Sequence, residues 1–214
     1  MKNLYKLAYI SLFSFCIISC KKEDIYSPVI TLNGPEVVIV PLEGTYDELG
    51  ATTTDNEGAV TTTVSGDVNT FVAGTYTVTY KATDAAGNTS ISKRIVIVKN
   101  ELESMNGTYF CTLISGNGTS TTYTQTITAS AIKNNRINFE RFRNIENNRN
   151  IFANVTGATV NLPSQIAYAT GTPVENRTYL GILGSRSSTG FRLTYTETTS
   201  SGATQHFIET FEKR

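Results

Sequence analysis

Residues 74–83 read Gly74-Thr75-Tyr76-Thr77-Val78-Thr79-Tyr80-Lys81-Ala82-Thr83, and the five that follow are Asp84-Ala85-Ala86-Gly87-Asn88. Tyr76, Val78, Tyr80 and Ala82 share one face of an extended chain, while Thr75, Thr77, Thr79 and Lys81 share the other. That period of two predicts a half-buried strand. Residues 84–88 carry turn chemistry, with Gly87 able to take positive φ, so the chain is expected to reverse there. Outward from this strand, short β-like runs at 29–32, 37–40, 60–64 and 91–98 are separated by turn residues at the spacing of a β-sandwich. Composition agrees: 34 of the 214 residues are Thr, a β-branched residue suited to a pleated surface exposed on one side. At this length one or two domains are expected.

Several segments together carry a family resemblance: Pro28-Val29-Ile30-Thr31-Leu32-Asn33-Gly34, Tyr46 with Gly50-Ala51-Thr52 and Asp55-Asn56, the strand from Gly74, and Thr83-Asp84-Ala85-Ala86-Gly87-Asn88. This third of the chain resembles the bacterial immunoglobulin-like module related to the Ig-like domain of pesticidal crystal proteins and to hyalin repeats. The resemblance implies an Ig-like β-sandwich over 28–99 that acts as a spacer or adhesion module, with no catalytic residue. A single copy argues against a long stalk. Asp55, Glu57 and Asp84 supply oxygen ligands on loops, as a hard cation requires, but their spacing matches no twelve-residue calcium loop, and no metal is expected.

The N-terminus reads as an address. Lys2 and Lys6 precede an apolar run of twelve residues, 7–18, too short to span a bilayer as a helix and suited to a signal peptide over 1–19. Ile17-Ile18-Ser19-Cys20 resembles a bacterial lipobox, which implies cleavage before Cys20 and diacylglycerol on its sulfur. Several acyl chains would hold the protein on a membrane through a tether at 20–27. Lys21-Lys22-Glu23-Asp24 looks like the surface-export signal of Bacteroidota lipoproteins, implying the outer face of the outer membrane; the alternative is a solvated tether facing the periplasm.

After a linker at 100–104, residues 105–214 form a second unit. Strand-like runs are expected at 107–114, 123–129, 136–142, 151–155, 165–170, 178–184, 191–196 and 206–211, with no run of helical period. Eight such strands predict an antiparallel meander, closed as a barrel or flattened as a sandwich, so the whole chain reads as all-β. Asn106-Gly107-Thr108-Tyr109, 160–165 and Thr210-Phe211-Glu212-Lys213 resemble the β domain that follows Ig-like modules in Bacteroidota surface lipoproteins; the opening strand also resembles lipocalin-like domains. Neither resemblance brings a ligand with it.

Eighteen basic and eighteen acidic side chains argue against a nucleic-acid partner, and loss of 1–19 leaves sixteen against eighteen. The balance is uneven along the chain: residues 25–99 carry eight acidic and four basic side chains, residues 100–214 eight and ten. Catalytic chemistry is thin. His206 is the one histidine, 100–214 hold no Asp, and no Gly-x-Ser-x-Gly elbow occurs. Cys111 shares a strand face with Tyr109 and Leu113 and reads as a small core residue rather than a nucleophile; it has no disulfide partner once Cys20 is lipidated. One histidine and one free thiol do not make a zinc site. Glu140, Glu146, Glu175 and Glu197 cannot be paired into a glycosidase from sequence, and isolated Glu on alternating strands usually face water. No enzyme activity and no cofactor are expected.

The remaining cluster is basic: Lys133, Arg136, Arg141, Arg143 and Arg149, interleaved with Phe139, Phe142 and Phe152. On a strand, Arg141 and Arg143 point to one side and Phe142 to the other. Arg141, Arg143 and Arg149 are therefore the candidate binding face, suited to carboxylates or sulfates of an acidic glycan or to an acidic partner protein. The competing reading is a solvated edge that discourages sheet-to-sheet association. Two functions remain: a non-catalytic surface binder, in which the Ig-like module presents a β domain to a glycan or protein, and a structural envelope lipoprotein with no small ligand. The absence of Trp weakens the sugar reading, and eleven Tyr sustain it.

Overall fold

The computed structural model describes residues 23–145, 151–169 and 175–214. Cys20, the residues 1–19 read as a signal peptide, and Arg149 lie outside the described residues.

The first domain pairs β1 (Val29–Leu32) with β3 (Ala51–Thr54), and opposes them with a four-stranded sheet in the order β2 (Val37–Pro41), β6 (Thr89–Lys99), β5 (Gly74–Thr83), β4 (Thr61–Ser65). β2 and β6 run parallel; the other pairs are antiparallel. The alternation read in β5 holds: Val78, Tyr80 and Ala82 are buried and Thr75, Thr77 and Lys81 are exposed. Val40, Leu42, Val96 and Val98 form a core cluster. Among them stands a buried cation. Arg94, fully buried, donates to the Pro35, Asn33 and Gly50 carbonyls at 3.0, 2.8 and 3.4 Å and pairs with Glu48. The Glu48 carboxylate also accepts from the Tyr46 and Tyr80 hydroxyls, so one polar network ties the 46–50 segment to both sheets. The three carbonyls and the Glu48 charge meet the guanidinium, which offsets much of the cost of burying it.

The second domain is a closed antiparallel barrel, which settles the choice between barrel and sandwich. Its strands are β7 (Gly107–Ser115), β8 (Ser120–Ala129), β9 (Arg136–Phe139), β10 (Phe152–Thr156), β11 (Thr159–Asn161), β12 (Gln165–Ala169), β13 (Glu175–Arg186), β14 (Gly190–Thr199) and β15 (Thr204–Lys213). Among the described residues, eight of them close the ring, because β11 pairs with β13 as well as with β10, while β12 flanks the outer half of β13. Closure leaves no free edge along the ring. At the seam two glycines allow the approach: a Cβ on Gly181 would stand 2.5 Å from Leu162 Cβ, and one on Gly184 2.0 Å from the Arg192 carbonyl oxygen. The register of β13 against β14 shifts between Ile182 and Ser185, a bulge that bends the strand into closure.

The domains are joined by a packed hinge. Leu102 and Met105 are buried in the barrel core, and residues 103–105 form a 3-10 turn. Asn100, 2% exposed, donates its Nδ2 amide to the Ser130 and Lys133 carbonyls at 2.9 Å each. Ala73 N–H donates to the Ala131 carbonyl at 2.7 Å, and Lys133 pairs with Glu43 at 2.6 Å. The segment expected as a linker is thus held against both domains. The barrel therefore has a proximal end, where the chain enters, and a distal end bearing the β7–β8 and β14–β15 turns.

Candidate ligand-binding cleft

Inward-facing residues divide the barrel along its axis. The proximal half is an aromatic plug: Phe191 stacks on Phe211 with ring centroids 4.3 Å apart, and Phe139 sits 5.6 Å from Phe211. The distal half is polar. Glu209, fully buried, accepts hydrogen bonds from Tyr123 and from Tyr195, the latter at 2.9 Å. Burial pushes its carboxyl up to about 7, against the pull of the two phenols and of the nearby Arg143 charge. Burial also raises the Tyr123 and Tyr195 phenols, with the Glu209 charge acting in the same direction. The Cys111 thiol is buried and pushed up to about 12, mainly by desolvation, so it keeps its proton at neutral pH.

The sequence reading of residues 136–142 as one strand is corrected here. β9 stops at Phe139, and residues 142–144 form a 3-10 turn with Arg143 at φ 59° and Asn144 at φ 56°. Phe142 drives the change. It is fully buried, 4.9 Å from the Tyr195 ring centroid, 5.2 Å from Tyr179 and 5.1 Å from Phe139, so its burial draws the connection inward. Arg141 and Arg143 consequently do not flank a strand. Arg141 donates to the Asn144 side chain at 3.0 Å. Arg143 runs into the barrel, 2.5 Å from Glu197 and over the Phe207 ring, with Cζ 4.2 Å from the centroid. Arg177 reaches the other Glu197 oxygen at 2.9 Å. Glu197, expected to face water, is 2% exposed, and Glu209 played no part in the sequence reading. Each lies on the inward face of an alternating strand, but apolar neighbours at that period mark a face without showing which polar residue has a partner across the barrel.

Above Arg143 the distal end opens as a cleft of about 530 Å³, lined by the two turns, by Leu113 and Phe207, and by Thr121, Gln205 and His206. His206 Nδ1 lies 3.2 Å from the Thr196 hydroxyl. The walls offer hydroxyls, amides and backbone, and the floor a guanidinium on an aromatic ring. Such a surface can hold a polar ligand by hydrogen bonds and charge.

A second polar cluster lies in the first domain. Asp24, Asp55 and Asp84 bring one carboxylate oxygen each within 4.8 Å of one another. The sequence grouping held Glu57 in place of Asp24; Glu57 instead donates its backbone N–H to Asp55. Asp84 acts as a turn acceptor, taking the Ala86 and Asn88 N–H groups at 2.9 and 2.8 Å.

Residues 30–98 match the family of bacterial surface protein Ig-like domains. The Ig-like reading of the first domain is therefore confirmed. No curated protein matches the chain. The chain is similar to the lipoprotein BT2262 of Bacteroides thetaiotaomicron at 15% identity and a TM-score of 0.33, over 87% of this chain and 100% of that one. It is also similar, at 14% identity and a TM-score of 0.28, to a chain with the CBM51-2 and INT domains of Clostridium perfringens ZmpB, solved with GlcNAc. That likeness covers 87% of this chain and 44% of the other.

Proposed function

We propose that the protein is a non-catalytic lipoprotein of the bacterial surface, anchored through Cys20 in the outer membrane with its domains outside the cell, whose Ig-like domain holds the barrel away from the lipid. The barrel binds a saccharide in its distal cleft. The observation that carries this reading is the position of the cleft: it opens at the barrel end opposite the chain entry, and the packed hinge at Asn100 keeps that end turned from the anchored domain. The match of residues 30–98 to bacterial surface Ig-like domains supports the location. The buried, protonated thiol of Cys111 and the Glu197 carboxylate held by two arginines are in keeping with binding alone.

A glycan array probed with the mature protein tests the binding role. Retention of saccharides by the wild type is expected. Absence of binding to every neutral and acidic saccharide would sink it, and recovery of an envelope protein that is lost on charge reversal at Arg141 and Arg143 would replace the sugar by a protein partner.

A further inference from the structure

Among the described residues, the lining of the distal cleft includes Arg143 and His206 and no acidic side chain. Arg143 is only partly neutralised from below, because Glu197 divides its carboxylate between Arg143 and Arg177. The Arg143 Nε–H is buried and finds no acceptor among the described residues. The guanidinium carbon lies over the Phe207 ring, an attraction that helps hold the group in place. Its backbone adds to this. A side chain of this size at φ 59° is disfavoured, and such conformations persist where the surroundings over-determine them, most often at binding and switch sites. A planar guanidinium with donors to spare matches a carboxylate in two-pronged fashion. Ser115, Thr119 and Thr204, which carry hydroxyls, and Asn117 and Gln205, which carry amides, line the same cleft, a polar wall suited to sugar hydroxyls rather than to an apolar ligand. A volume of about 530 Å³ accommodates a small ligand, not a protein surface.

We propose that the distal cleft recognises the carboxylate of an acidic sugar, of uronate or sialate type, with Arg143 receiving the carboxylate and the turn hydroxyls receiving the ring. This rests on the binding role proposed for the same cleft.

Titration calorimetry on the mature protein tests it with matched probes: oligogalacturonide against its fully methyl-esterified form, sialyllactose against lactose, and a sulfated galactan, which carries sulfate and no carboxylate. At least one carboxylate sugar is expected to bind ten-fold or more tightly than its neutral counterpart. Asn117→Asp places a carboxylate on the β7–β8 turn at the rim while keeping the oxygen that accepts from the Ser115 hydroxyl and the Thr119 N–H, and is expected to weaken the acidic sugar at least ten-fold with an unchanged circular-dichroism melt. Arg143→Gln is expected to abolish the preference, and the rim variant keeps the test valid if Arg143→Gln does not fold. Equal affinity for acidic and neutral members overturns the carboxylate receptor while leaving a sugar-binding cleft. Binding of the sulfated probe without any carboxylate probe overturns it too, in favour of sulfate. No binding of any probe overturns both this and the sugar reading beneath it.

Discussion

The Arg143 guanidinium and the Glu197 carboxylate stand 2.5 Å apart inside the barrel, and Arg177 holds the second oxygen of the same carboxylate at 2.9 Å. One buried acid thus serves two cations. Removing either cation leaves the acid paired, whereas removing the acid leaves two guanidiniums facing each other. Glu197→Ala is therefore expected to destabilise the protein by about 3–5 kcal/mol, more than Arg143→Ala does. Urea unfolding of the two variants measures this. The reverse order would show that Arg177 does not sustain the pair alone.

Glu209 makes stability depend on pH. Its folded carboxyl, at about 7, binds a proton more tightly than the ordinary group at 4.5 in the unfolded chain. Its contribution is therefore full below about pH 4.5, falls as pH rises towards 7, and is lost above that, a total on the order of 3 kcal/mol. Glu209→Gln keeps the shape and removes the titration, so its urea midpoint is expected to stay flatter between pH 4 and 8 and to exceed the wild type at pH 8. A slope equal to that of the wild type would assign the dependence to other groups.

The barrel seam is expected to fail at Gly184. A Cβ there meets the Arg192 carbonyl oxygen at 2.0 Å, backbone that cannot swing aside. Gly184→Val is expected to cost about 3 kcal/mol or more by forcing β13 from its neighbours. Hydrogen exchange reads the location: amides at Val160 and Gly181 should exchange faster, while those between β7 and β15 keep most of their protection. Uniform loss across the barrel would mean that the seam is not a separate unit.

The hinge between the domains depends on Asn100. Asn100→Ala leaves the buried Ser130 carbonyl and the part-buried Lys133 carbonyl without this donor, and is expected to cost about 1–3 kcal/mol. Small-angle scattering should then show a wider spread of interdomain distances, with faster proteolysis near 100–104. Glu43→Ala, which breaks an exposed pair with Lys133, should change the spread less. An unchanged scattering profile for Asn100→Ala would place the rigidity in the packing of Leu102 and Met105 instead.

The amino-acid sequence by itself determined the all-β character, most of the strands and which faces are apolar, because a period of two is local and Tyr76 through Ala82 display it without reference to anything else. It also marked Cys111 as a core position, since Tyr109 and Leu113 flank it at that same period, and the chain buries all three. The strands β3 and β11 escaped it, β3 because Ala51–Thr54 is one Ala and three Thr with no apolar alternation, β11 because it has three residues. Only the tertiary structure decided that the meander closes, because closure depends on two pairings between β11 and β13 and on glycines that matter through what stands opposite them. It alone turned Arg143 from a strand face into the floor of a cleft, since burying Phe142 outweighed the extension of β9. It alone joined Tyr123 to Glu209, 86 positions apart, and Arg143 to Glu197. A buried charge is tolerable only where partners meet it, and the strands that carry those partners come together only when the barrel is closed.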